Sequence, residues 1–226
     1  CIFNPARELK KIFAKPQTKH FASIPISELS AFLNKMHESP GTNPVTKLAM
    51  MFMIHTFVRT TPLRHAMWKD FDIDCDEPLW IVPDYNMKNK VDFLVPLSSQ
   101  AVKILEEMKR FSGPDGYVFT QKLNSQKPIS ENALLYFSNR LGYAKKHTIH
   151  GFRTVASSFL HESMLWKYDV VEKQMSHLVG TKVSRTYNKA EYLNERRKML
   201  EWWSNYIESL MVNTDVISSD DNRWIM

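Results

Sequence analysis

Residues 70–97 interrupt an otherwise helical pattern, and this interruption constrains the fold more than any other feature of the chain. "FDID", "LWIV" and "DFLVPL" are short β-favouring runs separated by Asp, Pro and Asn, which predicts the three strands of a small antiparallel sheet. "PDYNMKNK" is then the loop joining the second and third strands. On both sides, apolar residues recur at helical spacing. "PISELSAFLNKM" predicts a helix with Ser27 as N-cap candidate and Leu29, Phe32, Leu33 and Met36 on one face. "SPGTNP" is a turn, and a very apolar helix follows from Pro44 to Phe57, with Pro44 suited to its first turn. Helical spacing resumes at Ser98 through Ala101, Ile104, Leu105 and Met108 until "SGPDG" stops it. Ser130 is the cap candidate of a helix through Leu134, Phe137 and Leu141. More helix is expected over 151–163 and 169–177, and a final helix over 190–211 is striped by Leu193, Leu200, Trp203, Ile207 and Leu210. The fold class is α+β: mostly α-helical, with one small three-stranded antiparallel sheet.

The 226 residues are enough for one substantial core. No run approaches the ~20 consecutive apolar residues of a membrane span. The opening "CIFNPARELKK" lacks the apolar centre of a signal peptide, and with no initial Met it reads as the start of a fragment. Cys1 and Cys75 are the only cysteines, which favours a reducing cytoplasm and excludes a Cys-rich metal site. None of the eight histidines stands in an H-E-x-x-H pair. The formal net charge is +6, a balance that permits binding to phosphate backbones without requiring it. In residues 1–20, Arg7, Lys10, Lys11, Lys15 and Lys19 stand against Glu8 alone, and Pro5 and Pro16 break the run. This stretch reads as a basic linker from an absent upstream domain. Residues 21–212 form the main domain. The tail 213–226, with Asp215, Asp220 and Asp221 against Arg223, is polar and acidic.

"TIHGFRTVASSFLHES" poses the functional question. His150 and Arg153 stand where an apolar run of Val155, Ala156, Phe159 and Leu160 begins, and burying such groups unpaired is costly. Other cations join them along the chain. "HTFVRTTPL" places Arg59 at the end of the apolar helix, "NMKNKVDFLVPL" places Lys88 in the strand-joining loop, and "QMSHLVGTKVSRTYNKAEYL" supplies His177 and Tyr187. In this order (Arg, Lys, His-x-x-Arg, His, Tyr) the chain resembles the tyrosine recombinases of the phage integrase family, in particular the integrases of prophages and genomic islands. The resemblance runs from "KHFASIP" through "TFVR", "VPLS", "HGFR" and "YNKAEYL" to "EWWSNYIESL". No single motif carries it; the ordered set does.

The resemblance implies site-specific cleavage and rejoining of double-stranded DNA attachment sites through a 3′-phosphotyrosyl intermediate, integrating or excising a mobile element. Arg59 and Arg153 would clamp the non-bridging oxygens of the scissile phosphate, a task lysine could not reproduce. His150 and His177 would add hydrogen bonds, with His150 also a proton acceptor. Lys88 would protonate the departing 5′ oxygen, and Tyr187 would be the nucleophile. Lys90 competes with Lys88 for the acid role, and Tyr192 competes with Tyr187. No cofactor is implied, since preorganised cations take the place of Mg²⁺ and the phosphotyrosyl bond makes ATP unnecessary. The resemblance also implies a cytoplasmic protein, monomeric when free and homotetrameric on DNA, working with accessory excision or host DNA-bending proteins and no membrane. His37, His65 and His161 read as ordinary histidines, and one of Trp202 and Trp203 as packing the last helix.

Two positions depart from the family pattern. Pro62 stands where an R-x-x-E-L glutamate ordinarily supports the first arginine, and "MSH" replaces Leu-Gly-His, so Ser176 must adopt its backbone conformation without glycine's freedom. Two further readings remain open: a type IB topoisomerase-like strand cleavage, and a catalytically inert DNA-binding remnant.

Overall fold

The computed structural model describes residues 21–87, 90–122, 124–177 and 191–212. The expected linker 1–20, the tail 213–226, Lys88 and Tyr187 lie outside the described residues.

The most apolar helix of the sequence is the centre of the fold. Helix α2 (Pro44–Thr56) buries Val45, Ala49, Met50, Phe52, Met53 and Ile54, so apolar surface surrounds it. A helix of that kind must be covered on all sides. Pro44 sits in its first turn and the Asn43 side chain accepts the Val45 N–H at 3.0 Å. Helix α1 (Leu29–Glu38) lies N-terminal to it and buries Leu29, Phe32, Leu33 and Met36, the face read from periodicity. Ser27 does not cap α1: it lies within a 3₁₀ turn, Ile26–Glu28, and the helix begins beyond it.

A five-residue helix α3 (Thr60–Arg64) leads into the expected sheet. Strands β1 (Phe71–Asp72), β2 (Leu79–Val82) and β3 (Phe93–Pro96) run antiparallel in the order β1-β2-β3, with Phe71 opposite Trp80 and Trp80 opposite Val95. On β2, Trp80 and Val82 are buried and Ile81 is exposed, the alternation of a sheet with one face on the core. Trp80 stacks on Phe71 at 5.0 Å and meets Phe52 of α2 at 5.9 Å. Helix α4 (Ser99–Met108) is capped by Ser98, whose hydroxyl accepts the Ala101 N–H.

A second hairpin, β4 (Thr120–Gln121) with β5 (Asn124–Pro128), was not legible in the sequence. Its "NSQK" run is exposed throughout, so no apolar alternation marks it. Ser130 does not use its side chain as a cap. Helix α5 (Ala133–Ser138) begins after Asn132, and Ser130 offers only its carbonyl to the Ala133 N–H. The segment Asn139–Tyr143 continues as a π turn that Gly142 breaks at φ 92°, a value glycine takes without strain. Helices α6 (Gly151–Glu162), α7 (Tyr168–Gln174) and α8 (Leu193–Val212) complete the domain. Trp203 anchors α8, donating from its indole to the Ile54 carbonyl at 2.8 Å, while Trp202 is half-buried and stacks on Phe159. Among the described residues no helix is long and apolar enough to cross a membrane.

The loop before α6 is fastened to the leading segment. Thr148 donates from its backbone N–H to the Ala22 carbonyl at 2.9 Å, and the buried His147 accepts the Ile24 N–H on Nδ1 at 3.1 Å. Gly151 is obligatory here for space: a Cβ would stand 2.7 Å from the Ala22 carbonyl oxygen and 2.8 Å from the His147 ring. Gly151→Ala is expected to destabilise the domain by about 1–3 kcal/mol, read by thermal unfolding. His147 and His55 are buried and held at about 4, below the usual 6.5, because burial disfavours the charged ring. The unfolded chain therefore binds more protons between those values, and stability is lost as pH falls from about 6.5 toward 4. We expect the melting temperature to drop through that window and the drop to be shallower in His147→Gln. A flat profile would show that both rings protonate freely in the fold.

Candidate active site

The site is built on the C-terminal end of α2. The last carbonyls of a helix have no intrahelical donors, and here that end is buried. Phe57 closes it in the left-handed conformation, φ 40°. Side chains from three distant helices then take up the carbonyls. Trp203 of α8 bonds Ile54, the Gln174 amide of α7 bonds Thr56 at 3.0 Å, and Arg153 of α6 bonds Phe57. Arg153 is 4% exposed. A second arm of its guanidinium donates to the Met175 carbonyl at 2.6 Å. Its burial beside apolar residues is thus compensated by backbone carbonyls, an account the sequence reading, which relied on a bound phosphate, did not contain.

Three further basic side chains gather round it. Arg59 follows directly from the Phe57 turn, as the residue preceding α3, and donates to the Ser176 carbonyl at 3.4 Å. Met175, Ser176 and His177 are consecutive, so both arginines are tied to the strand of backbone that carries His177. His150 is exposed at the start of α6, where its ring packs on Phe21 at 5.0 Å. Burial lowers the His150 pKa first, and the charges of Arg153, Arg59 and His177 lower it further. Arg153 is lowered to about 10 by burial and then by Arg59, against the opposing pull of Glu172. Burial also lowers Arg59. Two arginines and two histidines from three distant stretches of sequence therefore share one field, in which the positive charge of each disfavours charge on the others. Such a place favours an anion.

Of the residues singled out from sequence, the structure brings Arg59, His150, Arg153 and His177 together. Lys88 and Tyr187 lie outside the described residues. Lys90 is exposed in the β2–β3 loop. Tyr192 is half-buried against the core, with its hydroxyl 3.4 Å from the Asp169 carboxylate. Pro62 is buried in the first turn of α3 beside Arg59. Ser176 has φ 52°, as its position in place of glycine implies.

Sequence reasoning missed the residues that hold the cations in place. Gln174 bridges α2 to α8: its amide oxygen accepts Arg196 Nη2 at 2.7 Å and Nε at 3.0 Å. Arg196 is fully buried, stacks over Phe93 and also donates to the Leu94 carbonyl. A signal was present, because Arg196 falls between Leu193 and Leu200 on the apolar stripe of the last helix. Glu172 was also unread. Its carboxylate accepts from His177 Nδ1 at 2.9 Å and from His161 Nε2 at 3.4 Å, so His161 is less ordinary than its surroundings in sequence suggest.

This arrangement of helices around a small sheet is shared with a site-specific recombinase and an integrase of known structure. The fold matches XerH site-specific recombinase bound to difH substrate at a TM-score of 0.56, with 15% identity over 76% of this chain and 52% of that one. It matches a lambda integrase tetramer bound to a Holliday junction at 0.54, with 16% identity over 77% and 50%. In sequence, the chain is similar to the integrase of Enterobacteria phage P4, 32% identical across 99% of this chain and 56% of that protein. It is also similar to prophage integrase IntS of Escherichia coli K12, 31% identical across 91% and 53%. Residues 23–193 match the phage integrase family, and the chain belongs to it. The chain spans about half the length of the curated relatives it matches.

Two outcomes are expected at this site. Inorganic phosphate should raise the melting temperature by mass action, and Arg59→Ala should remove most of that rise; an equal rise in the variant would place the anion elsewhere. Ser176→Val, which forces a β-branched residue into the left-handed region, should cost about 1–2 kcal/mol in denaturant titration.

Proposed function

We propose that this chain carries the catalytic domain, residues 21–212, of a tyrosine-type site-specific DNA recombinase that integrates or excises a mobile element. The observation that supports it is the convergence of Arg59, His150, Arg153 and His177 on one basic cluster, whose two arginines are tied to consecutive backbone carbonyls. A pentacoordinate phosphorus with charged equatorial oxygens is the partner such a cluster suits.

In this reading Tyr187 attacks the scissile phosphorus. A bond forms between its phenolic oxygen and phosphorus while the bond to the 5′ oxygen breaks. The phenol proton passes to His150, and Lys88 gives a proton to the departing oxygen. Arg59 and Arg153 neutralise the phosphate, with His177 as a further donor. The 3′-phosphotyrosyl linkage retains the energy of the diester, so a second 5′ hydroxyl reverses the step without a nucleotide. The substrate is a pair of double-stranded attachment sites, and the working form is a tetramer assembled on DNA from monomers. The basic stretch 1–20 then joins a preceding DNA-binding domain, and accessory excision or DNA-bending proteins set direction.

The test is covalent. Mixed with a nicked suicide duplex bearing its attachment site, the protein should form an adduct that survives denaturant. Tyr187→Phe should abolish it and Tyr192→Phe should retain it. Arg59→Lys should slow it by about 100-fold. Binding without any adduct would favour an inert DNA-binding remnant; relaxation of supercoils without joining of two sites would favour a topoisomerase.

A further inference from the structure

The cation cluster has a carboxylate behind it. Glu172, in the last turns of α7, is largely buried, its side chain 15% exposed. Oε2 stands 2.9 Å from His177 Nδ1 and Oε1 stands 3.4 Å from His161 Nε2. Its own carbonyl accepts the His177 backbone N–H at 3.0 Å. A carboxylate only accepts hydrogen bonds, so the proton between the two groups belongs to His177 Nδ1. One residue thus holds both the ring and the backbone of His177, and Nε2 is the atom left for a phosphate oxygen. Glu172 also acts on a second member of the cluster, since its charge pulls against the desolvation of Arg153. Meanwhile Pro62 occupies the position beside Arg59 where a supporting acid would be expected.

We infer that Glu172 is a positioning residue of this site, fixing the tautomer and orientation of His177. The inference rests on the recombinase reading for its catalytic consequence and on geometry alone for the tautomer. The principle is general: a second partner on the far nitrogen of an imidazole fixes which nitrogen works. The competing role is a strut between α6 and α7, made through His161, whose ring stacks on Tyr168 at 5.2 Å. The two roles use different oxygens of the same carboxylate, so they can be separated.

Two measurements separate them. Imidazole ¹⁵N spectra of the wild-type protein should show neutral His177 protonated on Nδ1. Glu172→Gln should keep that tautomer, because an amide oxygen still accepts, and Glu172→Ala should lose it. A wild-type His177 protonated on Nε2 would overturn the inference whatever the protein does to DNA. In the suicide-substrate assay, Glu172→Ala should slow adduct formation about 10- to 100-fold at saturating DNA, with Glu172→Gln falling between it and wild type and His161→Ala near wild type. In a His177→Ala background Glu172→Ala should add nothing, since the two act as one unit. Equal losses in both backgrounds, or a loss in His161→Ala matching that of Glu172→Ala, would assign the carboxylate to the strut. Absence of adduct from the wild-type protein would count against the recombinase reading, and the tautomer would still decide the role of Glu172.

Discussion

The structure depends on how the buried C-terminal end of α2 is satisfied. A helix this apolar must run through the middle of the domain, and its last carbonyls consequently end where water does not reach. Unpaired, each would cost about 1–3 kcal/mol. Arg153, Gln174 and Trp203 supply the donors, and each comes from a different helix: α6, α7 and α8. The same three bonds thus dock three helices on one point. The negative end of the helix dipole also favours a guanidinium there. The arginine at the centre of the candidate site is held by a contact that the fold requires in any case.

That arrangement lets the protein's own groups hold the basic side chains together. Gathering Arg59, Arg153, His150 and His177 costs desolvation, which lowers the pKa values of the first three, and neighbouring positive charge lowers Arg153 and His150 further. Hydrogen bonds to charged donors contribute about 1.5–3 kcal/mol each, and the carbonyls of Phe57, Met175 and Ser176 provide three of them. Glu172 provides the opposing charge. Behind this layer, Arg196 and Gln174 lock the end of α7 to β3 and α8. The two arginines are therefore placed by backbone acceptors on rigid elements.

Legibility varied with the kind of signal. The faces of α1, α4 and α8 and the three strands could be read because burial on one side writes a period into the letters. The β4–β5 hairpin could not, because the residues Asn124–Lys127 of β5 are polar and exposed on both faces. Ser27 and Ser130 look like caps, yet in each case the helix starts later, since a preceding turn absorbs the residue. The four clustered cations were legible as an ordered set. Their supports were not: Gln174 and Glu172 are common polar residues in a short helix, and nothing local distinguishes them from solvated ones.

The letters alone determined the fold class, the family resemblance and the conformation that Ser176 must take, because periodicity, motif order and the glycine position are one-dimensional properties. Only the tertiary structure decided what balances the buried Arg153. Its partners are carbonyls at Phe57 and Met175, 96 and 22 residues away, and a backbone carbonyl is the same group at every position until the fold aims it. The same reason hid Glu172: a carboxylate becomes a support only when a histidine ring is brought within 2.9 Å of it.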